Sequence, residues 1–358
     1  MATTTRSATP ASRGAGAPPD GRTGALARAG AALSRAVQPR YLPVAGTLLT
    51  LVIMLAVGES RYGGERGFVS ARLFSNLLLD NSYLLVLAVG MTFVILTGGI
   101  DLSVGAVVAL VGLVVATLLP LGVPLPVVLV VGVLVGSTSG LLVGTLVHHF
   151  SIQPFIASLA AMFLARGLCN VVSVQSLAIK DEGFAALASW SLKLGEGRNM
   201  SKINLSMIVA VLVLLAAYAV LHHTRFGRTV YGVGVGDGGN AVQLMGLKGG
   251  RTVLWVYVIS GTCAGVAGIL FALYTKSGFN LTGIGMELDA IAAVVIGGTI
   301  LTGGGGYVLG TGAGVLVYGL IQVLIAREGL DSWWTRVFIG VVLLAFVVLQ
   351  RVITLRRR

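Results

Sequence analysis

An all-α, polytopic membrane protein with about ten transmembrane helices is the fold class this sequence predicts. The composition is the first observation: 56% hydrophobic and 11% charged residues with a mean hydropathy of +0.93, against about 25% charged in soluble domains. The second is that residues 43–352 divide into apolar segments close to the roughly 20 residues needed to cross a bilayer. The third is the charge pattern. The net charge of +12 is carried by three stretches: the N-terminal residues (Arg6, Arg13, Arg22, Arg28, Arg35 and Arg40 against Asp20), the loop near 222–252 (Arg225, Arg228, Lys248 and Arg251 against Asp237), and the C-terminus (Arg351, Arg356, Arg357 and Arg358). The remaining charges cancel. Cytoplasmic loops carry an excess of Lys and Arg, so these three stretches are expected on the inside, with both termini cytoplasmic.

Residues 1–42 are rich in Ala, Gly, Pro, Thr and Arg and have no apolar periodic face, which predicts a disordered basic tail. The first apolar run begins near Leu42 with no small-residue cleavage pattern after it, so the first span is expected to be retained. The spans then read 42–58, 83–100, 103–121, 125–147, 154–175, 204–222, 253–275, 288–303, 306–326 and 334–352, with a basic cytoplasmic end at 353–358. Re-entrant pieces remain an open reading for 288–326. Outside loops are expected at 59–82, 176–203, 276–287 and 327–333, and inside loops at 101, 148–153, 303–306 and 222–252. Only the last inside loop is long, and no loop is large enough to hold a core of its own.

TGGIDLSVG (97–105) is the sharpest motif. Asp101 is the only acid in a long apolar stretch, and burying a carboxylate is costly unless it is paired or wetted. Gly98 and Gly99 permit a helix break, and Asp101 or Ser103 suits the N-cap of the next helix. Two readings are open: a cap at the cytoplasmic edge, or a hinge lining a translocation path. Val94–Gly105 (VILTGGIDLSVG) and Val295–Gly310 (VIGGTILTGGGGYVLG) each place a glycine pair between apolar runs, an echo of the internal repeats that transporters carry. Arg166 falls too deep in its span for easy snorkelling, which leaves structural pairing or pathway lining.

Other features are read as structural. His148, His149, His222 and His223 end two helices and suit the negative end of the helix dipole better than a metal. Cys169 and Cys263 lie in apolar segments as small packing residues. Trp190, Trp255, Trp333 and Trp334 suit interfacial positions. The GxGxxG match at 234–239 lacks the strand that a dinucleotide site requires, and no GxxxxGK[ST] loop is present. A basic pI would point to nucleic acid in a soluble chain, but here the charge is dispersed at membrane edges and no nucleic acid is expected.

TGGIDLSVG (97–105), QPFIASLAAMFLARGL (153–168), TRFGRTVYGVG (224–234), LMGL (244–247), ELDAIAAVVIGGTILTGG (287–304) and DSWWT (331–335) together resemble the ribose-type, monosaccharide permeases of bacterial ABC importers, over about residues 43–352. The run from 91 to 105 and the tryptophan pair look most like galactofuranose importer permeases. The resemblance implies a type II importer-like permease in the inner membrane with no cofactor of its own. ATP and Mg would be bound by a partner ABC ATPase, and a periplasmic or lipid-anchored sugar-binding protein would deliver substrate. A second permease chain, identical or related, would complete the path. It also implies a coupling helix docking on the ATPase from the loop between the sixth and seventh spans, here Asn240, Ala241, Gln243, Leu244, Met245 and Gly246. A glycine-rich stretch at 233–239 runs longer than the family pattern. An ion-coupled secondary transporter or channel is the competing class, but it normally needs several intramembrane acids. An intramembrane enzyme would need a catalytic pair at depth, and all four histidines sit at span ends.

Overall fold

The computed structural model describes residues 42–64, 67–194, 201–235, 249–331 and 333–355, and within them every predicted apolar segment forms a helix. In chain order the elements are α1 (Leu42–Tyr62), α2 (Ala71–Asp80), α3 (Ser82–Leu96), α4 (Val104–Leu118), α5 (Leu125–His148), α6 (Pro154–Val172), β1 (Leu177–Ala178), α7 (Glu182–Ser189), β2 (Ser191–Leu194), β3 (Ser201–Asn204), α8 (Leu205–His223), α9 (Arg225–Val235), α10 (Gly249–Thr275), β4 (Ser277–Gly278), α11 (Met286–Ile296), α12 (Val308–Arg327) and α13 (Trp333–Leu355). Local chemistry sets several starts. The side chains of Ser70, Asp181 and Asn204 accept from the N–H groups of Leu73, Phe184 and Met207, satisfying first-turn donors that lack a helical partner. Proline opens α5 and α6, where its missing N–H costs nothing.

Fewer helices than the expected count of about ten are long enough to be full spans. Among the described residues six helices are long and apolar enough to cross a membrane, or seven if α2 and α3, bent by 64°, count as one. The predicted second, third and eighth spans become α3 and α4 of 15 residues each and α11 of 11. At 1.5 Å per residue these cover only about 16–23 Å of a roughly 30 Å core. They are well enclosed: almost all of α3 is buried, as are Ala292 to Ile296 of α11. The open reading of a re-entrant piece in 288–326 resolves to α11, a half-length helix preceded by the turn after β4.

The longest helix, α10 with 27 residues, forms the axis. Gly132, Gly136, Gly140 and Gly144 of α5 recur every fourth residue and meet α10 backbone to backbone. A Cβ on Gly136 would overlap the Gly261 carbonyl, and one on Gly140 the Tyr257 carbonyl. Small residues at this spacing let helices pack closely where lipid supplies no hydrophobic drive between them. Ser137 and Thr262 exchange a 2.8 Å hydroxyl contact beside the seam.

The described loops gather at two faces. On one face β1 pairs antiparallel with β4, the Ser75 hydroxyl donates to the Lys202 carbonyl at 2.5 Å, and Arg61 forms a 2.7 Å ion pair with Glu328. These contacts join all four loops expected outside. On the other face Gly250 abuts His148, and His222 stacks on Tyr307 with centroids 5.7 Å apart.

Candidate functional site

The TGGID segment terminates α3 by a Schellman turn. Gly98 N–H donates to Ile95 O (2.9 Å) and Gly99 N–H to Val94 O (3.1 Å), with Gly98 left-handed at φ +79°. This conformation favours glycine. Two hundred residues on, α11 ends in the same way. Gly298 N–H donates to Val295 O (2.9 Å) and Thr299 N–H to Val294 O (3.2 Å), with Gly298 at φ +92°. The echo in the sequence is therefore an echo in backbone geometry, with VILTGG and VVIGGT in register.

After the first turn the chain stays inside the bundle instead of forming the short inside loop expected at 101. Asp101 is fully buried, opposite Ser260, which lies about 16 Å along α10. Its carboxylate accepts from Ser103 N–H (3.0 Å), the Ser103 hydroxyl (2.6 Å) and the Ser260 hydroxyl (2.9 Å). Ser103 makes no side-chain cap to α4, because its hydroxyl is given to Asp101. The cap reading is thus corrected to an anchor: three donors substitute for water around the carboxylate. Among the described residues the single ion pair is Arg61–Glu328, so Asp101 is held by hydrogen bonds. The Tyr257 hydroxyl packs against Gly99, where a Cβ would lie 2.5 Å from it.

The two breaks meet each other. Gly304 N–H donates to Leu96 O at 2.9 Å, and the Gly98 backbone approaches Thr302. Helix α9, which leads into the long loop, closes over this junction. Gly234 packs so tightly on Leu96 O and Gly304 N that a side chain there has no room, and the Tyr231 hydroxyl donates to Gly306 O at 2.9 Å. The hydroxyls of Thr92 and Thr311 tie α3 to α12 at 2.8 Å.

Arg166 stands apart from this junction. Its guanidinium donates to the carbonyls of Asn280 (2.9 Å) and Thr282 (2.6 Å), and Asn280 donates to Asn170 at 2.6 Å. Helix α6 thus holds the turn that leads into α11, which is the structural-pairing reading of Arg166. Asn240, Ala241, Gln243, Leu244, Met245 and Gly246, expected from the resemblance to couple to an ATPase, lie outside the described residues. His148 sits in the last turn of α5, and His222 and His223 in that of α8. No cluster of metal-binding type occurs among the described residues. Sequence reading missed Tyr257, Ser260 and the α5–α10 seam. The four-residue glycine period was visible, but it named no partner.

The family model described as "Branched-chain amino acid transport system / permease component" matches residues 73–347. Among curated proteins the chain is 41% identical to the fructose import permease protein FruG of Bifidobacterium longum, over 88% of this chain and 92% of that protein. It is 44% identical to the inner membrane ABC transporter permease protein YjfF of Escherichia coli, over 80% of this chain and 86% of that one. Identity to the ribose import permease protein RbsC of Escherichia coli is 34%, over 85% and 92%. A bundle of apolar helices interrupted by paired glycine turns, carried on a match over most of its length, makes this chain a multi-pass transport permease, not an enzyme, of the branched-chain amino acid transport system / permease component family, in its ribose-type branch.

Proposed function

We propose that this chain is the membrane-spanning permease subunit of an ATP-driven importer that carries a monosaccharide into a bacterial cytoplasm, with galactofuranose the specific candidate. One observation carries the mechanism: α9, the arm of the long loop, is seated on both helix breaks at once through Gly234. A displacement of that loop therefore acts on α3 and α11 together, while Asp101 fixes the first break to α10. The names of the relatives, fructose and ribose import permeases, support the substrate class.

In this reading residues 43–352 are the permease domain, and 1–42 and 353–358 are basic cytoplasmic ends. ATP and Mg sit on a partner ABC ATPase. A periplasmic or lipid-anchored binding protein delivers the sugar to the face bearing the Arg61–Glu328 pair, and a second permease chain completes the path. Asn240, Ala241, Gln243, Leu244, Met245 and Gly246 form the contact with the ATPase, with Leu244 and Met245 as apolar anchors, the kind of group that dominates interfaces. The test is uptake of labelled D-ribose, D-fructose, D-galactose and galactofuranose by host cells lacking the chain and complemented with it. Uptake is expected to require ATP, and replacing Leu244 and Met245 together with Asp should abolish it and release the ATPase without lowering membrane abundance. Uptake driven by an ion gradient without ATP would refute the reading.

A further inference from the structure

Three cavities differ sharply in what lines them. One of about 480 Å³ between α5 and α6 and another of about 290 Å³ among α3, α8 and α10 are walled by apolar side chains, with Cys263 and a few hydroxyls. Such walls suit acyl chains or a neighbouring helix. The third, of about 320 Å³, lies between α11, α12 and the first turns of α13, and it gathers Asp289, Tyr318, Gln322, Trp333 and Arg336. Its volume is at the small end of the roughly 300–1,000 Å³ of ligand pockets.

The chemistry of these five residues is that of a polyol site. Asp289 accepts hydrogen bonds, Gln322 both donates and accepts, and Arg336 donates a planar fork, so neighbouring hydroxyls on a ring can be paired from several directions. Trp333 supplies an aromatic face, apolar yet polarisable, for the C–H side of such a ring. The Arg336 guanidinium lies 5.1 Å from the Trp333 ring centroid, and the ring is 69% exposed. The floor is firm: Tyr318 and Ile339 are 6% and 7% exposed. Tyr318 and Arg336 line the cavity together with Asp289. The cavity also lies toward the proposed entry side. Gln322 is five residues before the end of α12, next to the Glu328 that pairs with Arg61. Trp333, read from the sequence as an interfacial anchor, thus becomes part of a wall.

We infer that the cavity between α11, α12 and α13 is a low-affinity contact site for a single monosaccharide ring, with Asp289, Gln322 and Arg336 pairing its hydroxyls and Trp333 stacking on its C–H face. The inference rests on the monosaccharide reading above and adds the residues that receive the sugar. Two measurements test it. The first is the alkylation rate of a Gln322→Cys variant in membranes, with and without excess D-ribose, D-fructose, D-galactose or galactofuranose. Cys169 and Cys263 are both buried, so the introduced thiol dominates the signal. The sugar that the parent chain transports should slow alkylation several-fold, and the others less. The second is uptake by Asp289→Asn in complemented cells, where KM should rise about five- to tenfold with a much smaller change in Vmax. Equal alkylation with and without the transported sugar overturns the inference while leaving the proposed function standing. So does an Asp289→Asn variant that loses abundance and Vmax together at unchanged KM, the mark of a purely structural carboxylate. If the parent chain supports uptake of no sugar, both fall together.

Discussion

Gly99→Ala is expected to destabilise the protein through one oxygen atom, and removing that oxygen should restore most of the loss. The Cβ of an alanine at 99 would lie 2.5 Å from the Tyr257 hydroxyl, 3.3 Å from Val94 Cγ1 and 3.5 Å from Tyr257 Cζ. Only the first distance demands that something move, by close to 1 Å, to reach ordinary contact. Tyr257 is fully buried and its hydroxyl has no hydrogen-bond partner among the described residues. The Tyr257 backbone is pinned against Gly140 and its Cβ against Gly144, so the residue cannot simply retreat. Overpacking of this kind costs about 1–3 kcal/mol. Tyr257→Phe alone should be neutral or stabilising, because a buried hydroxyl without a partner costs about 1–3 kcal/mol of desolvation. In the double variant the nearest atoms are at 3.3 and 3.5 Å, so the clash is nearly gone and the coupling energy should be about 1–2 kcal/mol, within the range for residues in contact. The assay is the apparent unfolding temperature of the four proteins of the cycle in detergent. Additive losses in the double variant would refute the geometry, and a large loss from Tyr257→Phe alone would show that the hydroxyl has a role that the contacts do not reveal.

Asp101→Ala leaves the Ser103 and Ser260 hydroxyls and the Ser103 N–H without their acceptor. Each such buried group costs about 1–3 kcal/mol, so membrane abundance should fall severely, and less in Asp101→Asn, where one side-chain oxygen still accepts. At the opposite face the Glu328 carboxyl is held below its ordinary value, first by the Tyr62 hydroxyl bond and then by Arg61. A lowered folded pKa means stability that is complete above the ordinary Glu value and lost as pH falls through the folded one. The thermal stability of the parent should therefore drop more on acidification through and below the ordinary carboxylate range than that of Glu328→Gln, measured by melting in detergent.

How much was legible in the sequence follows from what each signal encodes. Apolar segments report the helices, which survive in the structure, whereas the unbalanced arginines lie mostly outside the described residues. Helix length was not legible at α3, α4 and α11, because the apolar run continues through the turns at 98 and 298. Only the left-handed glycines mark where the helix stops, and glycine is common throughout this chain. Asp101 was recognisable as an anomaly, yet its partner Ser260 is 159 residues away and nothing in the sequence pairs them. Arg166 was ambiguous for a different reason: its partners are carbonyls of Asn280 and Thr282, and a carbonyl leaves no trace in residue identity. The cavity acid Asp289 was visible within the ELDAIAAVV motif, but its distance from Trp333 in sequence hid their meeting across α12.

The glycine seam between α5 and α10 carries a mechanical consequence. Where side chains interdigitate, two helices can slide by exchanging rotamers. Along Gly136, Gly140 and Gly144 the backbones themselves touch, with almost nothing between them to rearrange. Any shift in register would drive a carbonyl into an α-carbon along the whole line. Helices α5 and α10 must consequently travel as one body, and Ser260 carries the Asp101 end of α4 along with them. Helices α11, α12 and α13 pack on one another and reach that body chiefly by way of α3 and α4, so rocking of the molecule is expected across those borders. The rigid body of the machine is thus defined by the residues that have no side chain at all.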